Sequence, residues 1–160
     1  MAIILSDELK AIIGDSSTVA VISAVGKNGN PYSQVPHKIS VREDGRIAVH
    51  QLLEKSQLQK NLVYSLWFSK KVSLVIVAKD GRKFHLYLTP YQALVAGREF
   101  TKEYESVLAE FGEDADLSTV WLFDVDSYAS ATYKDEHAQE KAEHPYLYHM
   151  DHIVKEEFRA

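Results

Sequence analysis

Cysteine is absent from the 160 residues. Disulfides, thiolate zinc sites, iron–sulfur clusters and a cysteine nucleophile are thereby excluded. Basic charge is also scarce: 18 Lys and Arg stand against 23 Asp and Glu, a net charge of -5. Affinity for a phosphate backbone needs a clustered basic surface, and no basic stripe runs along this chain, so nucleic acid is not an expected partner. Long apolar runs are missing. The first ten residues, "MAIILSDELK", have no positive n-region and too short an apolar run for a signal peptide or membrane span. No membrane association is expected, and the cytoplasm is the expected location. The 7 glycines form neither G-x-G-x-x-G nor a P-loop. Nothing resembles the G-x-S-x-G elbow of a serine hydrolase.

What is present is ordinary for a globular domain: 46% apolar and 26% charged residues, enough for a real core. Ser6 caps a short helix over about 6–13, with Leu9, Ile12 and Ile13 on one face and Gly14 as its stop. "STVAVISAVG" then reads as a first strand and "PYSQVPHKISV" as a second, with "KNGN" at 27–30 between them. Asn-Gly is a strong hairpin signal. Pro31 and Pro36 confine the second strand to an edge or a bulge. "RIAVHQ", "KKVSLVIVA", "KFHLYLTPYQALVAG" and "LSTVWLFDVDSYAS" supply strands three to six, with a bend expected at Pro90. Tight hairpins cannot join parallel strands, so the sheet is antiparallel. Ser56 to about Phe68 is a helix carrying Leu58, Leu62 and Leu66. Phe100, Tyr104, Val107, Leu108 and Phe111 mark another, closed by Gly112. The expected fold is mainly β (α+β), with residues 1–133 as one antiparallel domain of six strands and a few covering helices. Residues 134–160 read as a linker and a C-terminal docking helix bearing Leu147, Met150, Val154 and Phe158.

Three places could carry chemistry. In the tail, His149 and His152 share a helical face with His144 and Asp151 nearby. Metal or haem ligation there is weighed against a docking helix with exposed histidines, and no metal site is expected. Asp124 and Asp126 alternate on one strand face, which reads as a solvated face. The third place is "HQLLEKSQLQKNL", His50 to Leu62. Ser56 and Gln59 have the spacing of a capping box. A helix start leaves N–H donors unpaired and carries partial positive charge, so an anion such as phosphate fits there. Lys55 and Lys60 stand close by. Trp67 and Trp121 read as core or dimer surface rather than cofactor stackers.

Three segments resemble the flavin-binding split-barrel family of the pyridoxamine 5'-phosphate oxidase type: "GKNGNPYSQVPHKISV", "VHQLLEKSQLQKNLVYSLWFSKKVSLVIV" and "YQALVAG". The resemblance spans about residues 5–133 and implies that residues 1–133 form an FMN-binding, six-stranded antiparallel Greek-key split β-barrel with peripheral helices. It implies a homodimer with FMN in a cleft between subunits. By position, Lys38 would approach the phosphate or ribityl chain. His50 and Gln51 would lie along the ring with backbone donors. Ser56 and Gln57 would hold the phosphate, and Gln92 would face the ring. The oxidase pattern has a basic pair after the serine; here Gln57 and Leu58 stand there. The tryptophan and arginine expected for a pyridoxamine phosphate substrate are not visible. The implied function is a small FMN-dependent oxidoreductase of unknown substrate, with no catalytic residue assigned. The alternatives are a non-enzymatic FMN electron carrier or ligand-binding protein, or a split barrel that binds haem or deazaflavin.

Overall fold

A computed structural model describes residues 3–144. The tail histidines His149 and His152 and the expected docking helix lie outside the described residues. In chain order the elements are α1 (Asp7–Gly14), β1 (Val19–Val25), β2 (Pro31–Gln34), β3 (Lys38–Val41), β4 (Ile47–Gln51), α2 (Gln57–Trp67), β5 (Val72–Val77), β6 (Lys83–Leu94), α3 (Arg98–Phe111), β7 (Thr119–Ser130) and α4 (Tyr133–Glu143). The strands form one antiparallel sheet in the order β2-β1-β5-β6-β7-β4-β3. Residues 134–143, the start of the expected linker and docking segment, lie in α4, which has no buried residue.

The sheet has seven strands, not the expected six. The segment "PYSQVPHKISV" is two strands. Its first part pairs with β1 and its second with β4, at opposite edges of the sheet. Pro36 explains the break: it has no N–H to donate, and it holds Val35 extended. The same break bends the sheet. A flat sheet would separate its edge strands by six spacings, about 29 Å. The four steps from Gln34 to Lys38 span about 14 Å at most. The sheet must therefore curl until its edges approach, which makes a split barrel.

Three hairpins share one turn grammar. In "GKNGN", "REDGR" and "AKDGR" the glycine N–H bonds back three residues, and the first and last residues pair across the mouth. The Asn or Asp before each glycine accepts from the backbone N–H two residues on. Gly29, Gly45 and Gly81 have φ of 79°, 84° and 90°. These are type I turns followed by a left-handed glycine, hence three-residue loops.

The main core lies inside the curl. Ile22, Leu74, Ile76, Leu86, Leu88, Trp121 and Phe123 face inward, and α2 closes them off with Leu58 and Leu62. Ser56 caps α2 by accepting from the Gln59 N–H (3.0 Å). The expected reciprocal half of the capping box does not form. The Gln59 side chain instead donates to Thr119 Oγ1 (2.9 Å) and accepts from Trp121 Nε1 (2.8 Å), fixing α2 to β7. The bend in β6 occurs as a register shift between Pro90 and Gln92. A second, smaller core of Ala48, Leu94, Leu117, Val120 and Leu122 lies on the outer face, where α3 covers it with Val107, Phe100 and Tyr104.

Candidate functional site

The six expected site residues divide between the two faces of the sheet. Side chains alternate along a strand, so His50 and Gln51, the last residues of β4, point opposite ways. His50 faces out beneath α3, in register with Lys38 on β3. Gln51 faces in, in register with Thr119 of β7, the residue that Gln59 of α2 grips.

α3 brings a stripe of polar residues onto the outer side. Glu99, Glu103, Ser106 and Glu110 are spaced four, three and four apart, so they share a helix face. Glu99 pairs with Arg42 (3.1 Å) and Glu103 with His50 Nε2 (2.7 Å). Glu110 pairs with Lys38 Nζ (2.6 Å), which also donates to Ser106 Oγ (3.1 Å). The charge on Lys38 is thus already balanced within the chain. No sequence signal named these partners, because they are set by how a helix lies across strands some 50 residues away.

At the end of β4, polar atoms are left over. His50 and Gln51 are both 0% exposed. Among the described residues, His50 Nδ1 and both amide atoms of Gln51 have no hydrogen-bond partner. Each buried unsatisfied group costs about 1–3 kcal/mol, so the arrangement is one that a ligand or partner group would relieve. The backbone of Gln51 is engaged: its carbonyl accepts from Ser118 N–H (2.9 Å).

The start of α2 is half committed. Ser56 serves the Gln59 N–H, while the N–H groups of Gln57 and Leu58 have no intrahelical acceptor, as at any helix start. The Gln57 side chain donates to Asn61 Oδ1 (2.8 Å). Buried Asn61 in turn donates to Ala24 O on β1 (2.9 Å). Gln92 is exposed at the β6 bulge. Its strand neighbour Tyr91 stacks under Arg46, whose guanidinium carbon is 3.7 Å from the ring centroid.

Asp124 and Asp126, expected as a solvated face, hold charge partners. Arg46 Nε donates to Asp124 (2.8 Å) and Lys71 Nζ to Asp126 (2.9 Å). Burial tends to raise the Asp126 carboxyl, but hydrogen bonds from Lys71 and Thr89 outweigh it and hold the group below its ordinary value. Asp44 follows the same logic: burial raises it, and the Arg46 backbone and guanidinium lower it further. Trp121 is in the core, while Trp67 is 77% exposed. Among the described residues no three His, Asp or Glu side chains gather as a metal site, and no helix is long and apolar enough to cross a membrane.

No family model matches the chain, and no curated protein matches it in sequence. Solved structures do match. HupZ from Group A Streptococcus superposes with a TM-score of 0.67 at 12% identity, over 81% of this chain and 96% of that one. An FMN-binding protein from Syntrophomonas wolfei gives 0.62 at 15%, over 76% and 82%. A protein of the pyridoxinephosphate oxidase family from Clostridium acetobutylicum, related to general stress protein 26, gives 0.54 at 16%, over 79% and 87%. At such identities a likeness shows the fold, and the chain is accordingly a split β-barrel of the kind found in FMN-binding and pyridoxine-phosphate-oxidase-type proteins.

Proposed function

We propose that this chain binds FMN at the end of β4 and the start of α2, and acts as a small flavin-dependent oxidoreductase in a homodimer. The observation that carries the reading is the fully buried amide of Gln51 at the end of β4, which has no hydrogen-bond partner among the described residues. The FMN-binding protein among the similar folds supports it. When bound, the flavin supplies hydride or electron transfer at its ring.

The chain's own residues supply binding and positioning. Gln51 offers amide donors and an acceptor that no other group among the described residues uses. Ser56 caps the start of α2 through the Gln59 N–H, so the free N–H groups of Gln57 and Leu58 and the helix dipole remain for the phosphate. α3 keeps water from His50, and Glu103 orients its ring. Lys38 reaches the ligand only by exchanging Glu110 for it. Gln92, exposed on β6, is available to face the ring. A second copy is supported by the outer face of β1 and β5, where Val19, Val21, Val75 and Val77 remain wholly or partly exposed.

The absorption spectrum of the purified protein tests the cofactor, followed by FMN titration of apo protein. Flavin bands, or saturable uptake with stoichiometry near one, are expected. A colourless chain that takes up no FMN overturns the reading, and a haem or deazaflavin band replaces the cofactor. Turnover with reduced nicotinamide and an acceptor separates an enzyme from an electron carrier. Sedimentation equilibrium tests the dimer.

A further inference from the structure

We propose that the cleft between the β1–β2 hairpin and α2 is a phosphate-binding site, with Lys27 and Lys60 supplying its charge. The cleft measures about 500 Å³ and is lined by Lys27, Asn28, Gln57, Lys60, Asn61 and Tyr64. Three other surface clefts of similar size each contain carboxylates: Asp15 and Glu110 in one, Asp15 and Asp80 in the next, Glu43, Asp44 and Glu103 in the last. This cleft has two lysines and no carboxylate. In a chain of net charge -5, it is a local reversal of sign. Among the described residues neither lysine is in an ion pair, whereas Lys38 and Lys71 are.

The hydrogen-bonding groups of the lining are mostly donors, and the chain itself fixes them that way. Asn61 must turn its NH2 to the Ala24 carbonyl. Its Oδ1 is then the acceptor for the Gln57 NH2. Asn28 Oδ1 accepts from the Asn30 N–H (3.1 Å), which leaves the Asn28 NH2 unused. The Tyr64 hydroxyl has no partner among the described residues. Two ammonium groups, one amide NH2, the second Gln57 N–H and a phenol therefore line the cleft, against one free acceptor, Gln57 Oε1. Phosphate oxygens are strong acceptors and suit such a set. The floor is rigid as well. Asn61 is 2% exposed, and a Cβ on Gly26 would meet its Oδ1 at 2.8 Å. The glycine is what lets the amide that orders Gln57 sit so close to β1.

The ligand chemistry is a phosphate or phosphate monoester. Its source is either the phosphate end of FMN, in which case the inference rests on the flavin reading above, or a separate phosphorylated molecule, in which case it does not. Charge lost with the missing basic pair at Gln57 and Leu58 is then restored from one turn along α2 and from the first hairpin.

The test is an amide NMR titration of the full chain with inorganic phosphate, then with FMN and riboflavin. Signals of Lys27, Asn28, Gln57 and Lys60 are expected to move with phosphate. The exposed double variant Lys27→Gln/Lys60→Gln should bind phosphate at least about tenfold more weakly, while Lys102→Gln on α3 should bind as the parent does. If FMN is the source, it binds more tightly than riboflavin in the parent, and the double variant closes that gap. If the source is separate, phosphate still moves the cleft signals and the double variant leaves any gap between the two flavins unchanged. The proposal is overturned if phosphate moves none of these signals, or if the double variant binds it like the parent. Flavin uptake without any phosphate response defeats this site and leaves the flavin reading standing; a phosphate response without flavin uptake does the reverse.

Discussion

β4 and β5 are short strands of the same sheet with opposite relations between sequence and burial. β5, "VSLVIV", holds no charged residue, yet every second side chain is partly exposed. β4, "IAVHQ", ends in two polar residues, yet all five are buried. The difference is α3. It lies across the outer face of β4 and β7, and on the described residues no equivalent layer makes the outer face of β5 buried. Apolar content alone therefore misreads both strands. The informative observations are the buried polar residue and the exposed apolar face. The first supports the proposed ligand at Gln51, the second the proposed partner surface.

Paired truncations test this contrast most strongly. Leu122→Ala removes a side chain beneath α3 and should destabilise the fold by about 2–5 kcal/mol. Val75→Ala on the outer face of β5 should cost under about 1 kcal/mol in the isolated chain. Chemical denaturation at low concentration measures both, and equal costs would show that α3 is not what separates the strands.

The next effect concerns the polar end of β4. Glu103→Ala leaves His50 with neither ring nitrogen bonded to a side chain and should cost about 1–3 kcal/mol. Glu103→Gln keeps a hydrogen bond and should recover much of the loss. The opposite sign is expected for Gln51→Met, which replaces the unsatisfied amide by an apolar group of similar length. It should stabilise the ligand-free chain by about 1 kcal/mol and weaken FMN uptake. A destabilised Gln51→Met protein would mean the amide is already satisfied.

The smallest effect is acid sensitivity at the sheet surface. The Asp126 carboxyl is held below its ordinary value in the folded chain. Its contribution is full above the unfolded value near 3.9 and is lost as pH falls through the lower folded value. Thermal midpoints between about pH 5 and pH 3 should therefore fall less steeply in Asp126→Asn than in the parent. A slope unchanged by the substitution would remove Asp126 from the acid response.

Much of the fold was legible because its signals are local. Ser6 and Ser56 are caps in the structure as in the sequence, and the three Asn-Gly or Asp-Gly turns fall where expected. Pro90 does mark an irregularity. Pro36 was visible too, but its consequence was not. A proline says that a strand weakens; it does not say that the two halves pair at opposite edges. The site was less legible. Lys38 could be named but not its partner Glu110, and Gln59 had the right spacing for a box but found better partners on β7.

By itself, then, the sequence determined the antiparallel sheet, the turns, the helix starts and the absence of thiol chemistry. Each depends on backbone preferences over a few residues or on composition. The family resemblance implied a split barrel, and the tertiary structure shows why the sheet must curl into one: β2 and β3 form its opposite edges although four steps of chain join them. Tertiary structure alone decided that α3 neutralises Lys38 and Arg42, that Gln51 is sealed inside with its amide unmatched, and that Lys27 and Lys60 face one cleft. These are contacts between residues far apart in the chain, and sequence spacing carries no record of them.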